Sequence, residues 1–274
     1  MKKGKLLAIS LLYLIPAFAQ VDFGRMQQEY ISRKPALDKM YAYPAIPFDS
    51  LFVTNKDGIN ISFWWMPGGG NKGTTLLVHG FMMNKSQMLS RAMVYYDLGY
   101  NVLAMDLRAR GQSGGNAATS GPEIRSDVIA VMDYYANNLK GYGPLALVGY
   151  SHGGRAIVFA AEEKPDLVKT IILECIPFSL TESFKRIYKV DPPPIPEGDI
   201  EKAFQSISKI PVLLMIGDKD SAIIPEEGLK IKKTFGNTTS QLIVFEGAVH
   251  DLSLEKYRPL YIGSIESFLL AGMK

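Results

Sequence analysis

The 274-residue chain has a single cysteine, three histidines and two tryptophans. One cysteine excludes an internal disulfide, so the fold must be held by its core. Cys175 lies in the apolar run Ile171-Ile172-Leu173-Glu174-Cys175-Ile176 and reads as a small buried hydrophobe. With three histidines, candidates for a base are few, and no metal-ligand spacing is present. Internal repeats and low-complexity tracts are missing as well. At 47% hydrophobic and 21% charged residues the composition excludes wholesale disorder, collagen and coiled coil.

A membrane-spanning run is also lacking. The apolar stretch 6–15, interrupted by Ser10 and Tyr13, falls short of the roughly 18–20 residues that cross a bilayer. It follows the basic start Met1-Lys2-Lys3-Gly4-Lys5 and precedes Ala17-Phe18-Ala19, the pattern of a secretory signal at residues 1–19. The expected mature chain starts near Gln20, periplasmic or secreted. It lacks the cysteine near that start which a lipid anchor needs, so no stable membrane anchor is expected. The chain has 30 Lys and Arg against 27 Asp and Glu, and residues 1–19 hold three lysines and no acid. The mature part is therefore balanced, which argues against a nucleic-acid partner.

What is present is an alternation of strand and helix patterns. Residues 20–48 form a lead-in, with a polar, helix-compatible stretch at 26–40 before Tyr43-Pro44-Ala45-Ile46-Pro47. A hairpin is predicted over 51–66 around Asn55-Lys56-Asp57-Gly58. Strands follow at 74–78, 101–105, 145–149, 168–174, 212–216 and 241–245. Helices are expected at 86–98, 122–139, 152–164, 225–235 and 258–270. This rhythm predicts an α/β domain over 49–274, with a mostly parallel sheet of about eight strands and helices on both faces. Residues 177–209 break it. Asp191-Pro192-Pro193-Pro194-Ile195-Pro196 stops a helix, and the segment is expected to form a small cap over one end of the sheet.

Gly149-Tyr150-Ser151-His152-Gly153 follows an apolar strand and opens a helical pattern. That setting suits a nucleophile elbow, in which small residues permit a tight turn and the serine hydroxyl sits beside a helix N-terminus. A serine needs a base. His152 is next to Ser151 and points away from it, and His79 lies upstream at a strand end. His250, just after the last strand, is the candidate base, and such a base loses activity as the medium acidifies. The acid is sought after the preceding strand, in Gly217-Asp218-Lys219-Asp220. Asp220 is preferred to Asp218, which is near enough to the strand end to cap the turn, and Glu174 is a further alternative.

With the order Ser151, Asp220, His250, and with His79-Gly80-Phe81, Asp106-Leu107-Arg108-Ala109-Arg110-Gly111-Gln112-Ser113 and the Gly217…Asp220…Pro225 spacing, the chain resembles the α/β-hydrolase fold serine hydrolases from about residue 50 to its end. Ala109 departs from the glycine common in that loop. The resemblance implies an oxyanion hole from the N–H groups of Phe81 and His152, with His79 bracing a loop. It implies carboxylic ester cleavage through an acyl-enzyme, with no metal or organic cofactor. The same set of residues also serves peptidases, thioesterases and acyltransferases, and a non-catalytic binding protein on this fold is the rival of another class. Met82, Phe178 and Ile223 are candidate contacts for an apolar group of a small-molecule ester, and a small cap would admit bulky esters; the alternative is that these side chains pack the cap onto the body.

Overall fold

A computed structural model describes residues 46–274 apart from residues 69, 117–120, 236–239 and 253. The signal at 1–19 and the helix-compatible stretch at 26–40 lie outside the described residues. The strands are β1 (Asp49–Thr54), β2 (Asn60–Met66), β3 (Thr74–Val78), β4 (Asn101–Met105), β5 (Leu145–Tyr150), β6 (Thr170–Glu174), β7 (Val212–Gly217) and β8 (Ser240–Phe245). They form one sheet in the order β1-β2-β4-β3-β5-β6-β7-β8. The pairs β1–β2 and β2–β4 are antiparallel and all the others parallel. The opening hairpin closes where the Asn55 side chain accepts the N–H groups of Asp57 and Ile59 and Gly58 takes φ 75°.

Successive residues of a strand point to opposite faces, and in the central strands both sets are apolar. Leu76, Leu103, Leu147, Ile171 and Leu214 enter one core. Leu77, Ala104, Val148, Ile172 and Met215 enter the other. The first core is covered by α2 (Arg125–Asn138), α3 (His152–Glu163), α5 (Ile200–Ser206) and α6 (Pro225–Phe235). The second is covered by α1 (Leu89–Asp97) and α7 (Leu254–Gly272). Helix α7 begins earlier than the expected 258, and Pro259 is its sixth residue. A proline at that position has no N–H to give to the carbonyl four residues back, so the helix forgoes one intrahelical bond there.

Between β6 and β7 the structure holds two helices, α4 (Leu180–Tyr188) and α5. Helix α5 buries Ile200, Ala203 and Phe204 and so belongs to the helical layer beside α3 and α6. Only α4 and the proline-rich turn after it stand outside that layer. Among the described residues no helix is long and apolar enough to cross a membrane.

Candidate active site

The parallel strands end at one level: Val78 pairs with Gly149, Tyr150 with Glu174, and Gly217 with Phe245. Residues just beyond those ends therefore share a rim. Ser151 sits there with φ 50° and ψ −119°, a conformation that L-residues rarely adopt. The glycines on either side explain how it is tolerated. A Cβ on Gly149 would lie 2.5 Å from the Gly154 Cα, and one on Gly153 would lie 2.3 Å from the Val78 carbonyl oxygen. The Ser151 N–H donates to the Glu174 carbonyl at 2.7 Å, which ties the turn to the end of β6.

His250 comes to this rim from the loop after β8. Its Nε2 is 3.1 Å from Ser151 Oγ, and its Nδ1 is 2.8 Å from Asp220 Oδ2. The Asp220 side chain is buried, and its other oxygen accepts the N–H groups of Ala222 and Ile223, both at 2.8 Å. A carboxylate so placed favours the tautomer with the proton on Nδ1, which leaves Nε2 to accept the serine hydroxyl. Gly217 lets the His250 loop approach β7, since a Cβ there would lie 2.2 Å from the Ala248 carbonyl oxygen.

The three acids left open by the sequence have separate partners. Asp220 touches His250. Asp218 accepts the Gly247 N–H and so joins the ends of β7 and β8. Glu174 is fully buried, paired with Arg91 on one oxygen and accepting the Tyr261 hydroxyl on the other. Cys175, Asp220 and His250 bring atoms of metal-ligating type within 4.8 Å of one another. A cation there would have to displace the proton shared by His250 and Asp220. Burial, with Asp220 beside it, also pushes the Cys175 thiol well above its ordinary range, so the sulfur stays protonated.

The comparisons agree with this architecture. A family model described as alpha/beta hydrolase fold matches residues 75–206. The esterase Pf2001 of Pyrococcus furiosus superposes with a TM-score of 0.74 at 22% identity, over 84% of this chain and 92% of that one. Est1E of Butyrivibrio proteoclasticus, solved with ferulic acid, gives 0.69 at 21%, over 81% and 98%. The protein YqkD of Bacillus subtilis is 25% identical over 77% of this chain and 76% of its own length. Protein bem46 of Schizosaccharomyces pombe is 23% identical over 66% of this chain and 62% of its own. The chain is an alpha/beta hydrolase-fold protein.

In this alpha/beta hydrolase-fold chain, the loop after β3 holds His79, Gly80 and Phe81. His79 is buried, and its Nε2 accepts the Leu107 N–H at 3.1 Å. The proton is thereby fixed on Nδ1, which donates to the Gly80 carbonyl at 2.8 Å. Burial lowers the His79 pKa to about 4, so the ring is neutral at pH 7. The Gly80 carbonyl and the Phe81 N–H belong to one planar trans peptide and point in opposite directions. Holding the carbonyl therefore aims the N–H, which has no acceptor among the described residues. His152 opens α3, and its ring stands edge-on to that of Phe81 at 6.0 Å.

The three apolar candidates fall in different places. Met82 is half-buried in the loop beside Phe81, at φ 57°. Phe178 packs against the core, stacked on Phe204 at 6.4 Å. Ile223 is buried, and its backbone holds Asp220. Sequence reasoning missed Arg91, Tyr150 and Asp251, which surround His250 from three elements. The one sequence cue was a charged Arg91 among apolar residues in Leu89-Ser90-Arg91-Ala92-Met93-Val94.

Proposed function

We propose that this chain is a serine hydrolase that cleaves carboxylic esters through an acyl-enzyme, with Ser151 as nucleophile, His250 as base and Asp220 as the acid that orients it. The observation that carries this is the unbroken hydrogen-bonded line from Asp220 through His250 to Ser151, at 2.8 and 3.1 Å. His250 takes the hydroxyl proton as Ser151 Oγ attacks the acyl carbon, then returns it to the departing alcohol. Water enters, gives its proton to His250 and releases the acid. Asp220 stabilises the imidazolium at both steps. The N–H groups of Phe81 and His152 receive the oxyanion, and each such donor typically contributes about 100- to 1,000-fold in rate. Neither a metal nor an organic cofactor enters these steps.

The substrate class rests on the apolar surroundings of the serine. Phe81 is 42% exposed and Met82 stands next to it, which favours a small-molecule ester with an apolar acyl or alcohol group. Solved relatives of the same fold that are named as esterases support the choice of bond. The N-terminal pattern at 1–19 supports export to the periplasm or beyond.

Fluorophosphonate labelling of the purified protein tests the assignment, alongside hydrolysis of 4-nitrophenyl esters from acetate to long chains. The expected result is labelling and hydrolysis in the wild type, and neither in a folded Ser151→Ala variant. A folded wild type that takes no label defeats the proposal. Faster turnover of peptides or thioesters than of any ester would move the substrate class and leave the nucleophile in place.

A further inference from the structure

The His250 loop has an attachment apart from the line to Ser151. Arg91, in α1, is buried beneath the rim. Its Nε donates to Glu174 Oε2 at 2.8 Å, and a terminal nitrogen donates to Asp251 Oδ1 at 3.0 Å. Its guanidinium carbon lies 4.4 Å from the centre of the Tyr150 ring. Tyr150 in turn donates its hydroxyl to the His250 carbonyl at 3.3 Å, and the two rings stand 5.4 Å apart. One cation thus touches both the residue before Ser151 and the residue after His250.

We propose that Arg91 is a positioning residue: by holding Asp251 and seating Tyr150, it keeps the His250 imidazole in line between Asp220 and Ser151. This rests on Ser151 and His250 having the roles proposed above.

The parts of the clamp divide the work. Burial disfavours a charge on Arg91, and the neighbouring Glu174 carboxylate more than offsets it, so the side chain stays cationic. Glu174 is occupied on both oxygens and lies at the base of the rim, so it anchors the guanidinium from behind. Ahead of His250 the loop is already fixed, by the Lys219 N–H on the Ala248 carbonyl and by Asp218 on the Gly247 N–H. Beyond His250, among the described residues, the polar tether of the loop is the Arg91–Asp251 bond.

Asp251 is 72% exposed, and an ion pair with so exposed a partner adds little to stability. Its effect is therefore on geometry. Misplacing a reacting group by about 1 Å can cost roughly 100-fold in rate.

Asp251→Ala in the full chain is the direct test, because it removes the tether and leaves the buried Arg91–Glu174 pair intact. With 4-nitrophenyl butyrate the expected kcat falls about tenfold, while KM changes by less than about twofold and the unfolding midpoint stays put. Asp251→Glu restores part of the loss. The far-downfield NMR signal of the His250 Nδ1 proton, shared with Asp220, broadens by solvent exchange in Asp251→Ala. A variant with that signal unchanged overturns the clamp, as does one whose kcat loss merely follows a loss of stability. The NMR comparison needs no turnover, so it decides the clamp even if the wild type hydrolyses no ester. Failure of the wild type to take fluorophosphonate would defeat the function reading alone.

Discussion

Among the described residues, five other than glycine hold positive φ angles: Met82, Ala109, Ser151, Cys175 and Lys189. Three of them, Met82, Ser151 and Cys175, stand just past the ends of β3, β5 and β6, and backbone strain of this kind concentrates at functional rims. Ala109 differs, because it belongs to the loop after β4, where Asp106 accepts the N–H groups of Lys85 and Gln112 and Gly111 packs against that carboxylate. Its φ of 54° explains why glycine suits this position. Two effects oppose one another in an Ala109→Gly variant. Relief of the left-handed penalty is worth about 1–2 kcal/mol, and the added freedom of the unfolded chain costs about 0.5–1 kcal/mol. The first wins, so Ala109→Gly should stabilise the protein by about 0.5–1 kcal/mol in urea denaturation. Its ester kinetics should stay near wild-type values, since the Ala109 N–H donates within the loop, to the Gly114 carbonyl, and the change only removes a methyl group. At this scale much of the site was legible. A serine between glycines, a histidine after the last strand and an acid after the one before each carry a local cue. The clamp around His250 was not, because Arg91 and Asp251 are 160 positions apart and neither position has a motif.

Helix α4 shows what an element can hide. The triple proline after it drew the whole segment 177–209 towards an irregular reading, yet Ser179 and Asp199 each cap a helix by accepting an N–H three residues on. Those caps were visible in the sequence; that α5 turns inward to join the α3 layer was not, because Phe204 finds its place only against Phe178 and Phe235. Helix α4 is tied down at both ends. At its start the Glu197 carboxylate accepts the N–H groups of Leu180 and Thr181, and Arg155 donates to the Glu197 carbonyl. Near its end Arg186 Nε donates to the Ala222 carbonyl at 2.9 Å, and the same guanidinium pairs with Glu227. Since the Ala222 N–H holds Asp220, α4 is coupled to the carboxylate hydrogen-bonded to His250. Burial raises the Glu227 pKa despite Arg186, so removing the arginine leaves a poorly solvated carboxylate. Arg186→Met should therefore lower stability by about 2–3 kcal/mol and lower kcat several-fold. Adding Glu227→Gln should recover most of the stability and little of the kcat, because Ala222 still lacks its donor. Thermal melts and ester kinetics on the single and double variants check both halves; full recovery of kcat would sever α4 from the site.

Over the whole molecule, the sheet order and both cores follow from a pattern that repeats strand after strand, and for that reason the fold class was plain from the sequence. Acid stability was not, because it depends on which titratable groups are buried. His79 dominates the range between pH 6.5 and pH 4. Buried between β3 and the loop after β4, it resists protonation until about pH 4, whereas in the unfolded chain it takes up a proton near 6.5. In that window the unfolded state binds more protons, so stability falls as the pH falls, by up to about 3 kcal/mol, and no further loss comes from this group below pH 4. Glu227, with its pKa raised by burial, takes up a proton in the folded state first and opposes the trend just above the ordinary glutamate range. Glu197 is held low overall by the N–H groups at the start of α4, against the effect of burial, and its loss comes only at still lower pH. A His79→Asn variant separates these contributions. Denaturant titrations of both proteins at pH 7, 6, 5 and 4 should show the wild type losing about 3 kcal/mol more than the variant across the series. Parallel curves would mean that the imidazole is already protonated in the folded state. In that case Nε2 could not accept the Leu107 N–H, and the hydrogen bonds that aim the Phe81 N–H would have to be reassigned.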